Sequence, residues 1–436
     1  MWALVFTVMA LTHFAASTLA QEVSIPDPGL NAAIREALEK PSGPLSGQDL
    51  LSLTNLDACC RNISSVEGLG AAHNLTALDL QSNLLSNLVV PGELTNLATI
   101  ELSFNPLTNC FFPDGLTNLD RIIIKTGHLT NLTLPADLKV LIELDLEGNQ
   151  FTSFNLPTNL IGLGALNLSA NQLTSFNPPA NLTEMENLNL ENNQLTSFSL
   201  PANVTTLFFL NLGFNLLTNC ALPSGLTHLD NLVIAANQLT NLSLPADLTR
   251  LIELDLSDNR LTSLALPTDL TNLLTLNLFF NQLTNLTWSA DLSRLTDLDL
   301  DFNQFTSLDL PSNLTHLSDL HLRSNRLTNF TLPADMTALS YLDLGENQLS
   351  KVTLPAGPNH LNLLRLSGNK QLTSLVLPPG LTSLSGLFLR SNHLTTLTLS
   401  TDLFHLASLD VLDNQLASLT LPAGLTNLAE LFLSGN

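Results

Sequence analysis

Two short runs of alternating carboxylates stand out in this 436-residue chain: Glu143, Asp145 and Glu147, and then Asp297, Asp299 and Asp301. On an extended strand alternate side chains point to the same side, so each run forms a row of acids. Such a row could hold calcium, which takes about six to eight oxygens, with Asp319 and Asp343 adding ligands beside the second row. The plainer alternative is a solvated polar face, and we assign no metal and no cofactor. Farther along the chain the chemistry changes. Most equivalent positions carry Asp, Asn or Glu, as at Asp79, Asn167, Asn189, Asn211 and Asp255. His321, Arg323, Tyr341, Arg365, Phe388 and Arg390 break that habit. Arginine and aromatic side chains together are what binding hot spots favour. The candidate ligand-binding set is therefore Asp297, Asp299, Asp301, His321, Arg323, Tyr341, Asp343, Arg365, Phe388 and Arg390, against the competing reading of drift within a duplicated array. No catalytic set accompanies them. HExxH, GxSxG, phosphate-loop glycines and a paired Cys/His site are all absent, and the histidines are scattered, so we expect no enzyme.

The elements that must position these residues follow from one period. Asparagine returns every 22 residues from Asn83 to Asn369, interrupted only at Gly127, and resumes after the extra Lys370 at Asn392, Asn414 and Asn436. A fixed period of this length means stacked units sharing one continuous core. The segment Leu251, Leu254, Leu256 gives LxxLxL, a short strand whose alternate residues point inward. Asn259 follows where the chain turns, and a buried amide there can bond backbone groups of neighbouring coils. The pattern LTSLALP then repeats the spacing and ends at Pro267, which lacks an N–H and should open the returning turn. Each coil is thus expected to hold one inner strand and one short outer extended segment.

LxxLxLxxNxL resembles the leucine-rich repeat, over roughly residues 53–436. The resemblance implies a leucine-rich repeat solenoid of the α/β class, dominated by strands, with a curved parallel β-sheet on the concave face and short extended or turn segments on the convex face. About 18 rungs of 22 residues, the last truncated, would span an arc on the order of 85 Å at about 4.8 Å per rung. The unit resembles bacterial members; the plant signature GxIP is missing, and the LTSLxLP half is similar to proline-punctuated bacterial effector repeats. Residues 21–52 form a different unit. Asp27 is placed as an N-cap, Pro28 at the first helical position, and Leu30, Ala33, Ile34, Ala37 and Leu38 on one face, with a second short helix at 47–52. This unit resembles the helical N-terminal cap of internalin-like proteins, and Arg61 in the asparagine slot suits an atypical first rung. The internalins' host-receptor binding is not carried over, since no concave residues match one by one.

Residues 1–20 are apolar and end in Thr18-Leu19-Ala20, which reads as a secretory signal peptide and places the protein outside the cell or on its surface. The sequence stops within a rung at Asn436, which suggests a fragment of a longer protein. A net charge of −23 disfavours nucleic acid and anionic lipid, and no membrane insertion is expected after cleavage. Cys110 and Cys220 sit in core slots too far apart to pair, whereas adjacent Cys59 and Cys60 are expected as free thiols. The repeat itself writes the N-x-S/T sequons, which carry little weight in a bacterial protein. The function that fits is an exported scaffold binding a protein, peptide or glycan through its concave face. The alternatives are a structural surface adhesin array, or the targeting region of a longer exported enzyme.

Overall fold

The computed structural model describes residues 22–288, 291–356 and 360–436; the signal-peptide reading of residues 1–20 lies outside them. The chain opens with α1 (Pro28–Ala37), capped by Asp27, whose Oδ1 accepts the Leu30 N–H at 3.1 Å. Leu30, Ala33 and Ile34 are buried beneath it, Leu38 is half-buried, and Ala37 is exposed, one residue past the apolar stripe. The second helix, α2 (Gly47–Leu50), is two residues shorter than expected and starts in a reciprocal cap between Ser46 and Asp49. The other Asp27 oxygen accepts the Ser64 and Ser65 N–H groups, and Arg61 reaches Glu36 at 2.7 Å, so the cap is fastened to the first rung. A 3-10 turn at Leu69–Ala71 extends helical geometry beyond the cap, where only extended chain was expected.

From Asn55–Asp57 to Glu430–Phe432 the LxL segments build one 18-stranded parallel sheet, each strand three residues long. Neighbours pair 22 residues apart, as in Leu254 with Leu276, and the step becomes 23 where Leu364 meets Leu387 across Lys370. In nearly every strand the middle residue is buried and its two neighbours face outward. The outer segments pair only locally, in two-stranded sheets such as Asn87–Val89 with Asn109–Phe111 and Ser263–Ala265 with Asn285–Thr287. Between the two sides the leucines of every coil form one continuous apolar core.

The repeated asparagines are buried and hold the coils together. Asn259 Nδ2 donates to the carbonyls of Ile234, Leu256 and Ser257, and its Oδ1 accepts the Leu239 N–H, so one amide spans two rungs. Asn149 makes the same bonds to Ile124 and Leu129, across the rung in which Gly127 has no amide to offer. At the Lys370 insertion the ladder adapts: Asn392 Oδ1 accepts from Asn369 N at 2.7 Å. The residue before each ladder asparagine is left-handed. Phe104, Phe214, Phe280 and Phe302 hold φ between 52° and 57°, a conformation that costs a non-glycine residue about 1 kcal/mol or more.

A second ladder runs along the opposite corner, unforeseen in the sequence. Asn74, Asn96, Asn118, Asn272 and Asn427 donate to a carbonyl 23 residues upstream. His316, His360 and His405 stand in for asparagine there, each ring Nδ1 bonding the equivalent carbonyl at 2.7–2.8 Å. These histidines are thereby structural. Cys110 and Cys220 are buried in the core, and burial pushes both thiols up to about 12. Cys59 and Cys60, expected as free thiols, are instead joined as a vicinal disulfide, because the left-handed φ of 63° at Cys60 turns the two side chains toward each other.

Two asparagines of one rung differ in how much backbone they satisfy. Asn215 serves the carbonyls of Leu190, Leu212 and Gly213 and the N–H of Leu195, whereas Asn211 serves the Gly213 N–H and the Glu191 side chain. Each stranded buried group costs roughly 1–3 kcal/mol. Asn215→Leu is therefore expected to lower the urea midpoint well beyond Asn211→Ala. Equal shifts in the two unfolding curves would contradict the ladder as the source of cohesion.

Candidate functional site

The outward residues of the sheet form registered columns. One column passes through Asp297, Asp319, Tyr341, Leu363 and Gly386; the other passes through Asp299, His321, Asp343, Arg365 and Phe388. Asp301, Arg323 and Arg390 follow two residues after their strands, on the adjoining rim.

The second column has a structural duty that sequence reasoning missed. Asp79, Asn167, Asn189, Asn211, Asp255, Asn277, Asp299 and Asp343 each accept the N–H two residues later, closing the turn where the strand ends. Asp, Asn and Glu recur there for that reason, and Asn211 and Asp343 are consequently buried. Where His321 takes the position, the Arg323 N–H is accepted instead by Asp301 of the preceding rung. At Ile123 the Ser103 hydroxyl performs the same service for Lys125.

The two acid rows have different surroundings. Glu143 pairs with Arg121 at 2.8 Å, and Lys125 reaches Asp145 at 2.7 Å and Glu147 at 3.4 Å, so the first row is neutralised by the preceding rung. The Asp145 carboxylate is accordingly the main reason the Lys125 ammonium is held above its usual range. The second row lacks such a partner. Loss of hydration raises Asp297 and Asp299, with His321 only partly offsetting it, and carries Asp301 to about 7 with help from the Asp299 charge. Among the described residues no three His, Cys, Asp or Glu side chains converge as a metal site, and this includes the second row with Asp319 and Asp343.

Downstream the aromatic and basic residues meet. The rings of His321 and Tyr341 stack with centroids 4.8 Å apart. The Arg365 guanidinium lies 5.6 Å from the Tyr341 centroid and 5.6 Å from that of Phe388, bridging the two rings, and stands 3.9 Å from the Asp343 carboxylate. Tyr341 donates to Asp343 at 3.3 Å, and burial together with that carboxylate pushes its hydroxyl up to about 12, so it remains a donor. Beside this group opens a cavity of about 190 Å³ lined by Arg323, Asp343, Gly345, Glu346, Arg365, Ser367 and Phe388. Arg390 is not part of it and turns to Asp413 at 3.4 Å. Sequence reasoning also missed Phe279, Phe280 and Phe302, which cluster beside the acid row with centroids 5.4–6.1 Å apart. For Phe280 and Phe302 the signal was available in the residue preceding the ladder asparagine, a position read only as turn.

The raised Asp301 gives a signed expectation. The folded chain keeps a proton on Asp301 that an unfolded carboxyl releases near pH 4, so folding takes up a proton between about 4 and 7. The stabilising contribution is complete below about pH 4 and is lost as pH rises through about 7. Thermal melts of the wild type and Asp301→Asn, compared from pH 4 to 8, should show the wild type losing ground to the variant as pH increases. Parallel profiles would mean that burial does not hold the Asp301 carboxyl above its usual range.

The model of the BspA type leucine rich repeat region matches residues 95–211, 146–259 and 300–417, together well over half of the chain, and a two-copy leucine rich repeat model matches 249–292. No curated protein matches the sequence. Among solved structures, an internalin (inlF) from Listeria monocytogenes aligns at TM-score 0.55 and 24% identity, covering 77% of this chain and 94% of that one. YopM, a leucine-rich effector protein from Yersinia pestis, aligns at TM-score 0.53 and 25% identity, covering 83% and 89%. InlJ from Listeria monocytogenes aligns at TM-score 0.52 and 24% identity, covering 89% and 74%. These likenesses establish the solenoid. Such repeat scaffolds are typical of protein-binding domains.

Proposed function

The chain belongs to the BspA-type leucine-rich repeat family, and we propose from that premise that it is an exported scaffold, secreted or held at the cell surface, that binds a protein or peptide through the inner sheet. The observation that carries this reading is Arg365, bridging Tyr341 and Phe388 beside an open cavity. Arginine and tyrosine with ring contacts at the centre of a polar surface have the composition of a hot spot. The contact region comprises Asp297, Asp299, Asp301, His321, Arg323, Tyr341, Asp343, Arg365 and Phe388, with Arg390 at its far rim. Most other outward positions of this column hold side chains closing their own turns, whereas His321, Arg365 and Phe388 bring side chains free of that duty together on three nearby rungs.

Export rests on the apolar N-terminal segment ending at Ala20. Among the described residues no helix is long and apolar enough to cross a membrane. The acidic charge of −23 argues against nucleic acid as the ligand. The chain is read as a binder, in keeping with its repeat scaffold, and no catalytic residues are assigned to it.

A random-peptide display library selected on the full chain tests this. Selected peptides are expected to slow amide exchange across residues 297–390 and to leave 167–211 unchanged. Arg365→Ala or Tyr341→Ala should weaken them by more than about 1 kcal/mol, while Asn189→Ala has little effect. Protection confined to 167–211 or to the outer strands would overturn the assignment.

A further inference from the structure

Phenylalanine is an unusual choice immediately before the ladder asparagine, where φ is 52° at Phe280 and 54° at Phe302. Glycine occupies the same slot at Gly148, Gly368 and Gly435 and suits it better. Phe280 and Phe302 stand on adjacent rungs, 54% and 40% exposed, and Phe279 joins them from the neighbouring column. Three rings in mutual contact at the surface bring no core packing that a polar side chain would forfeit.

Their surroundings are mainly acidic, with His321 the basic group that acts on the row. Asp255 and Asp258 lie on the rung before, Asp299 and Asp301 on the rung after, and Asp297 and Asp319 close the strand side. Asp301 follows Phe279 in register, since the Phe280 N–H bonds the Asp301 carbonyl. The first acid row has Arg121 and Lys125 against it, whereas among the described residues no lysine or arginine forms an ion pair with Asp255, Asp297, Asp299 or Asp301. The positive charge missing from this row is what a ligand would bring. Ring faces attract cations through their quadrupole, and carboxylates flanking the rings strengthen that preference. Burial, with the neighbouring aspartate charges added to it, raises Asp258, Asp299 and Asp301, and a cation beside them would offset that.

We propose that the Phe279, Phe280 and Phe302 cluster, with Asp255, Asp299 and Asp301 around it, is a docking surface for an arginine-bearing peptide segment, the guanidinium stacking on the rings while the carboxylates take its N–H groups. A planar guanidinium suits this combination better than an ammonium, because it stacks on a ring and donates to carboxylates in the same plane. The proposal rests on the inner-sheet reading above and identifies the chemistry of the partner.

The probe is a fluorescein-labelled octapeptide alternating arginine and glycine, with its citrulline counterpart as the neutral isostere, titrated by anisotropy against the full chain. The arginine peptide should bind and the citrulline peptide should not. Phe280→Gly with Phe302→Gly, which places glycine in a conformation it favours, should retain the melting temperature and weaken the arginine peptide about tenfold. Asp301→Asn should weaken it and flatten its salt dependence. Phe104→Gly with Phe214→Gly, at exposed rings in the same slot that lie outside the cluster, should leave affinity unchanged. Equal losses from the two phenylalanine pairs, or none from either, would show attraction by net charge alone and overturn the proposal. If library-selected peptides still protect Tyr341 and Arg365 in that event, the inner-sheet reading survives without it; if they protect neither, both fall.

Discussion

Nearly every coil depends on a buried primary amide, its own or its neighbour's. The turn after each inner strand brings carbonyls and an N–H into an apolar interior where water cannot reach them, and the asparagine side chain has the donors and the acceptor to meet them. It does so for two rungs at once, as Asn303 shows by donating to Leu278 and Leu300 while accepting from Leu283. This dual reach is why the period is so strict. A residue of different length would leave groups unpaired on its own rung and on the one before. The same constraint holds the preceding residue left-handed, so that even phenylalanine and aspartate are found there.

A second rule operates on the inner surface. The outward residue at the end of most inner strands accepts the N–H two residues later, which favours Asp or Asn at that position irrespective of any ligand. Much of the acidity facing outward is therefore a by-product of turn closure. His321, Arg365 and Phe388 are released from this rule, whereas Asp343 between them still obeys it; at His321 a neighbouring carboxylate substitutes, as Asp301 does for Arg323. Release from that duty is what permits His321, Arg365 and Phe388 to be there, as it permits Ile123 and Val233 earlier in the sheet.

Electrostatics then separates regions that look alike in one dimension. Glu143, Asp145 and Glu147 are matched by Arg121 and Lys125 one rung earlier, and the row is quiet. Asp297, Asp299 and Asp301 have only His321 nearby and remain uncompensated. Both rows have the same spacing and strand setting, so their difference is entirely a matter of the adjacent coil. Stacking makes residues 22 apart into closer neighbours than residues six apart, and charge pairing follows the stack.

The solenoid, its parallel sheet and the asparagine ladder were legible in the sequence because each is written in a single rung and repeated: the LxL spacing sets which side chains point inward, and the period sets the stacking. The N-cap at Asp27 and the core roles of Cys110 and Cys220 were likewise local matters. What the sequence could not decide was anything requiring two rungs to be superposed with their side-chain directions known. The bridging of Tyr341 and Phe388 by Arg365, the cluster of Phe279, Phe280 and Phe302, and the second ladder with its histidines all join residues a full coil apart. So does the neutralisation of one acid row and not the other. Even the turn-closing role of Asn211, two residues from its partner, depends on a backbone direction that only the folded coil defines. Repetition fixes where a side chain lies; its neighbours across the stack decide what it can do.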